Sequence, residues 1–518
     1  MLPPLGLTAV LAGAAAVALA LGSQLGLPGG PDRSGPAAAS AASQWVAAPD
    51  GRGAACTRTA PCTPEGALAK AGPGDAVVLQ QGEYPLVRTT RTARPATAAS
   101  PVVLRPAEGA SVTVAGLTAV APGVVVEGLR STGTVYVKPS AVGTVLRGLH
   151  VTGAGVFLRA DDSRLVDSLV EGGDSIDGVQ VKDGRGIVVE GNTVRGFAQL
   201  TGALHADCVQ VFDTQDLTLR ANTIHDCDNA GIIFSGGGGK GIRGALVEAN
   251  FVTGCRVRSE ACSGGTAIDL REPSAVDVVL RHNTFAGGSV RIAALPRLVV
   301  DRNVFGYLSS CATPMTNSVV RSWNTGLCRT PSQVGRDGNR QGEAAFVDSD
   351  GVDYHVADAA TVRVQPVSVA AGAGLPPARD IDGQAFSATT AGADEPGDAP
   401  ATRPVPPSAS PSASPSTSAS TPPSSAAPLT VALAPETGVR SGTTTVTATV
   451  SGGTAAAVAF TAAGRTFARG ATTDGGRTWA ATVDSRELPD GTYSVVAVAV
   501  DAQGRSVRSP SASARVDN

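Results

Sequence analysis

His205 and Asp207 stand two residues apart, and Gln210 follows three residues later. An imidazole next to a carboxylate can move a proton, and amides or cations beside it can hold an anionic reactant. The same residue types recur in Asp177-Gly178-Val179-Gln180-Val181-Lys182, in Ile268-Asp269-Leu270-Arg271, and at Phe212 and Arg291. Removing a proton beside a carboxylate needs a base and groups that neutralise that carboxylate. His205, Lys182 and Arg271 are the candidate bases and, with Asp207, the candidate catalytic set. Gln180, Gln210, Phe212, Asp269 and Arg291 are candidate substrate contacts, and Gln180, Gln210, Arg271 and Arg291 could do the neutralising. Glycosidic hydrolysis would instead need two carboxyls on opposite sides of one bond. Asp177, Asp207 and Asp269 are available, but they fall along one edge of the pattern. Plainer roles remain open: Asp177 and Asp207 as turn caps, the two glutamines as a hydrogen-bonded ladder.

These residues lie on short strands that repeat. Val-Val-Val-Glu-Gly-Leu129, Thr-Val-Leu-Arg-Gly-Leu149 and Arg-Leu-Val-Asp-Ser-Leu169 begin a series that continues to Asn192, Asn222, Asn250, Asn283 and Asn303. The successive intervals are 20, 20, 23, 30, 28, 33 and 20 residues. A period just above twenty with several short β-branched strands is what one coil of a parallel β-helix requires, because a single coil cannot bury its inward face. The asparagines are expected to align on one edge, adopting the left-handed turn conformation and bonding to each other. Strand alternation puts Val179, Val181, Val209, Val211, Ile232, Phe234, Ile268, Leu270, Val290 and Ile292 inward, and the candidate site residues outward. Gln180 should stack on Gln210, with Asp269 two coils further on. Three coils carry extra residues, at 197–206, 235–243 and 255–265, which would raise the walls of a groove. His205 and Asp207 enter that groove from the leading corner, whereas His225 and His282 are expected as exposed corner residues.

Two further stretches carry a resemblance. The first is Trp45-Val46-Ala47-Ala48-Pro49-Asp50-Gly51 with Ala67 to Asp75 and Gln81-Gly82-Glu83-Tyr84. The second is Phe346-Val347-Asp348 to Tyr354-His355, with Asp380-Ile381-Asp382-Gly383-Gln384 and Gly392-Ala393-Asp394-Glu395. They resemble the opening and terminal segments of right-handed parallel β-helix proteins, a group that includes pectate lyases, chondroitinase-like and alginate lyases and mannuronan epimerases. The resemblance covers roughly residues 45 to 395. It implies a right-handed solenoid and an acidic polysaccharide as partner. It does not fix an activity, because the architecture hosts several chemistries. The expected function is therefore binding, with cleavage or epimerisation, of an acidic polysaccharide. The alternative is a non-catalytic surface or adhesion protein that holds glycans.

The rest of the chain is divided by composition. Residues 1–43 hold an apolar run from Leu5 to Leu27 and an Ala/Ser-rich stretch, expected as a secretory signal or an uncleaved anchor. The β-helix is expected over 44–395, a Pro/Ser/Thr-rich linker over 396–428 and an Ig-like β-sandwich over 429–518, with Tyr493 as a tyrosine corner. The whole is thus all-β, a monomer, and secreted or cell-surface. Membrane contact is expected only if the first segment is retained. The eight cysteines contain no CxxC pair, which argues against zinc. Proximity suggests Cys56–Cys62 and Cys255–Cys262. Cys311 and Cys328 bracket a loop, and Cys208–Cys227 is left by elimination, although other connectivities stay open. A net charge of −3 predicts no nucleic-acid partner, and Gly236 to Lys240 lacks the spacing and context of a nucleotide loop. No cofactor is expected. Calcium is left open, with Asp226 and Asp228 as its best ligands.

Overall fold

The computed structural model describes residues 42–199, 205–237, 239–256, 262, 265–311, 315–326, 334–368, 378–397, 430–433, 439–440, 443–455, 457–462, 465–472, 474–484, 491–500, 506–509 and 512–516. No helix among them is long and apolar enough to cross a membrane. The expected signal segment and nearly all of the expected linker lie outside the described residues.

The larger body winds three parallel faces around one core. The first face runs in unbroken order through eleven strands, from Gln44–Ala47 to Val299–Asp301. The second contains His150–Thr152, Leu169–Glu171, Thr193–Arg195, Thr223–His225 and Phe251–Thr253 in successive coils. The third contains Val135–Val137, Val156–Leu158, Val179–Val181, Asp207–Val211, Ala230–Phe234, Thr266–Leu270 and Ser289–Ile292. Its inward residues are the apolar ones the alternation gave, with Val179, Val209, Ile232, Ile268 and Val290 all fully buried. Stacking of such faces forms one continuous core from Ala47 to Val320.

The asparagine edge is a ladder. Asn192, Asn222, Asn250 and Asn283 each give an Nδ2–H to the Oδ1 of the next asparagine, at 2.9 to 3.0 Å. Each of these Oδ1 atoms also accepts the backbone N–H of the residue before it in the series. The left-handed conformation, however, belongs to the preceding residue. Gly191, Ala221, Ala249, His282 and Arg302 have φ of 71°, 54°, 54°, 51° and 53°. That kink turns the following amide into the coil, where all five asparagines are buried. The asparagines are therefore chosen for their paired donor and acceptor, and their own backbone does not need the unusual turn.

A terminal segment covers part of the second face. The hairpin of Phe346–Asp348 and Asp353–Val356 sets Tyr354 edge-on to Phe251 at 5.8 Å, and Ala393 N donates to Thr284 Oγ1 at 3.0 Å. The same segment stacks Phe386 on His282 at 3.8 Å. His282 is thus buried rather than exposed, and burial drives its imidazole down to about 3. His225 is also buried, with Nδ1 2.8 Å from Asp226 Oδ2.

Three disulfides are present, Cys56–Cys62, Cys208–Cys227 and Cys255–Cys262. The expected partner of Cys311, Cys328, lies outside the described residues. Toward the chain's end, strands including Thr430–Leu433, Thr443–Ser451 and Thr478–Asp484 form one antiparallel sheet, and Ala457–Ala462 with Gly491–Val500 belong to another. Val446, Ala448, Phe460, Trp479 and Ala497 form a core shared by the two sheets. The side chain of Tyr493, the expected corner, is outside the described set.

Candidate functional site

Two outward columns run along the third face. The register pairs Tyr136, Phe157, Gln180, Gln210, Ile233, Asp269 and Arg291 in that order, one per coil. Beside it run Lys138, Arg159, Lys182, Phe212 and Ser235, each donating its backbone N–H to the coil before, at 2.8 to 3.1 Å. Parallel strands repeat at roughly 4.8 Å, so successive side chains in a column are near neighbours.

The first three rungs bring aromatic rings and cations together. Tyr136 and Phe157 meet edge to face at 6.1 Å, and Lys138 Nζ lies 4.2 Å from the Tyr136 ring centre. Arg159 lies within 6 Å of both rings. Lys182 Nζ is 5.5 Å from the Phe212 ring. Among the described residues, no ion pair involves Lys138, Arg159 or Lys182. Several cations on the other two faces are paired from rung to rung. Arg147 meets Glu127 at 3.0 Å, Arg220 meets Glu190 at 3.0 Å, and Arg195 meets Glu171 at 2.7 Å. Tyr136, Lys138, Phe157 and Arg159 escape a reading based on long coils, because their coils carry no insertion. Extending the Gln180 and Lys182 columns back by two repeats would have found them.

At the centre, Gln180 Nε2 donates to Gln210 Oε1 at 3.1 Å and to Asp177 Oδ2 at 2.9 Å. Gln180 Oε1 accepts from Arg159, and Gln210 Nε2 reaches Ser235 Oγ at 3.3 Å. The two glutamines therefore stack as the register required. Asp207 was expected to enter the groove but is fully buried. It occupies an inward position at the start of its strand, where Asn229 Nδ2 donates to its Oδ1 at 2.7 Å. Its Oδ2 is buried without a partner. Burial first, then the charge of Asp177, pushes its carboxyl up to about 7. Burial also raises Asp177, whose Oδ1 accepts the Asp207 N–H at 3.2 Å. His205 is exposed and is coupled electrostatically to Asp177.

Asp269, Arg271 and Arg291 form a separate cluster beyond Ile233. Arg271 makes a bidentate contact with Asp269, at 2.7 and 2.5 Å, and Arg291 approaches the same carboxylate at 3.5 Å. The Asp269 contact raises Arg271 above its already high ordinary value. Arg271 is thus held as a cation against Asp269. The hydrolase arrangement is not assembled by these three carboxyls, since Asp177 and Asp207 are adjacent and buried and Asp269 is tied to arginine. The groove walls expected at 197–206, 235–243 and 255–265 fall partly outside the described residues.

The calcium candidates are committed elsewhere. Asp226 binds Arg256 and His225, and these hold its carboxyl below the usual range against the cost of burial. Asp228 Oδ2 accepts the Gln199 N–H at 2.8 Å. One group missed by the sequence reading, His355 with Asp382 and Asp394, brings ligand-type atoms within 4.8 Å of one another. His355 there bridges Asp353 and Asp382, and the Asp382 contact raises it to about 9. It bridges two carboxylates in an ion-pair network.

Residues 135–305 match the family described as "Right handed beta helix region". The curated proteins contain no match. Among solved structures, the chain is similar to pectate lyase Pel9A, with 14% identity over 67% of this chain and 88% of that one, at a TM-score of 0.36. It is also similar to a mannuronic acid specific polysaccharide family 6 lyase from human gut microbiota, at 12% identity, 60% and 92% coverage and a TM-score of 0.29. An alginate lyase from Paenibacillus sp. str. FPU-7 gives 14% identity, 58% and 97% coverage and a TM-score of 0.26. The stacked parallel faces and the family match together make this region a right-handed parallel β-helix.

Proposed function

We propose that the third face binds an acidic polysaccharide along its two outward columns. The observation that carries this reading is the row Lys138, Arg159 and Lys182. Among the described residues these cations make no ion pair and lie beside Tyr136, Phe157 and Phe212, whereas Arg147, Arg195 and Arg220 on the other faces pair with glutamates. Unpaired charge at coil spacing suits a polymer with repeated carboxylates, and the half-buried outward rings suit the apolar sides of sugars. The three disulfides agree with an oxidising compartment, so the protein acts outside the cytoplasm. The C-terminal sandwich, Ig-like in this reading, serves as a spacer or adhesion module. The test is calorimetric titration with polygalacturonate and with a neutral glucan of matched length. Binding of the first and not the second is expected, and equal binding of both contradicts the reading.

A second reading adds chemistry of the lyase or epimerase type. It is favoured by exposed His205, which stands at the edge of the Gln180–Gln210 ladder and is coupled to Asp177. His205 would take the proton beside a uronate carboxylate, with Gln180, Gln210 and Lys182 holding that carboxylate. Ultraviolet absorbance of unsaturated product detects cleavage, and proton exchange at the same carbon detects epimerisation. A bound polyuronate that shows neither leaves the protein as a glycan-binding module.

A further inference from the structure

Asp207 is a carboxyl that the binding columns do not use. It is fully buried, its Oδ2 has no partner, and its one side-chain donor is the neutral Asn229. Among the described residues, no cation pairs with it. The charged group that acts on it most is another carboxyl, Asp177, one coil earlier. Asp177 in turn accepts from Gln180, the residue that ties the ladder together. The remaining charged groups around the pair are Asp269, two coils on, and His205 and Arg159, both coupled to Asp177. An ionised carboxylate with an orphan oxygen is expensive in such a place, and two adjacent ones more so.

Resting on the polyanion reading, we infer that Asp207 keeps a proton in the folded protein beside Asp177, beneath the Gln180–Gln210 ladder, and that loss of this proton weakens glycan binding. With the proton in place, the pair carries a single negative charge at most. When it leaves, a second negative charge appears under the column where the ligand's carboxylates must lie. No ligand contact to Asp207 is required, since the effect is carried through Asp177 and the ladder. The pair therefore acts as a positioning and charge-setting device, which makes attachment strongest in acidic surroundings.

The experiment is titration of polygalacturonate at constant ionic strength from pH 5 to 9, with wild type, Asp207→Asn and His205→Gln. Circular dichroism checks the fold of each. Wild-type affinity should fall roughly fivefold to tenfold through the neutral range, the size of one added like-charge interaction near a surface. Asp207→Asn should hold its acid-side affinity throughout. His205→Gln should still show the fall, because it leaves Asp207 and Asp177 in place. If Asp207→Asn unfolds, Asp177→Asn takes its place. Infrared difference spectra of the wild type should then also show a buried protonated carboxyl lost over the same range. A wild type that binds equally well at all pH values overturns the buried proton while sparing the binding reading. So does a pH dependence that persists in Asp207→Asn and vanishes in His205→Gln. Absence of binding at every pH removes the binding reading itself, and this inference with it.

Discussion

Asn222 donates its Nδ2–H to Asn250 Oδ1 at 2.9 Å, and the same oxygen accepts the Asn222 backbone N–H at 2.9 Å. One amide thus satisfies two donors in a fully buried turn. Replacing Asn222 with Leu should cost about 1–3 kcal/mol, since neighbouring turn groups lose partners they cannot replace with water. Urea unfolding of Asn222→Leu checks this. An unchanged midpoint would mean that the ladder contributes no stability.

The ladder was legible because its spacing is written directly in the chain, from Asn192 to Asn303. The stacking of Gln180 on Gln210 was legible for a related reason, since strand alternation and a repeating coil fix both face and register. Two features were not. The left-handed residue precedes the asparagine, and Ala221, Ala249 and Arg302 give no turn signal of their own; the coil imposes that conformation on them. The buried state of Asp207 was hidden because a carboxylate at a strand's first position looks solvated unless the next coil's Asn229 is known to cover it.

Stability should carry the mark of Asp207 as well. Its carboxyl is pushed up to about 7 in the folded protein, chiefly by burial and then by Asp177, while an unfolded chain has it near 3.9. The folded state therefore keeps a proton that the unfolded chain has released. Its contribution is complete below about pH 4 and is lost as pH rises through about 7. Thermal midpoints of wild type and Asp207→Asn, compared at pH 5 and pH 8, should show the wild type losing ground to the variant at the higher pH. A constant difference between them would place the proton elsewhere.

The cysteine pairing invites a direct check. Cys208 and Cys227 are both buried and close a loop with a sequence separation of 19. Replacing both with Ala should cost about 3 kcal/mol on the loop-closure account. Peptide mapping without reductant should recover Cys56–Cys62, Cys208–Cys227 and Cys255–Cys262, with Cys311 joined to Cys328. Any cross-pairing among these peptides contradicts the arrangement.

The central claim is that Lys138, Arg159 and Lys182 form an unpaired cationic row for a polyanion, and its most direct measurement is the salt dependence of polygalacturonate affinity. Wild type is compared with Lys138→Gln/Lys182→Gln, two changes that leave Arg159 and the ladder in place. The variant should bind about ten- to a hundredfold more weakly at low salt, as expected for two lost charge contacts, and its affinity should fall less steeply as salt is added. Equal affinity and an equal salt slope in the two proteins would contradict the account.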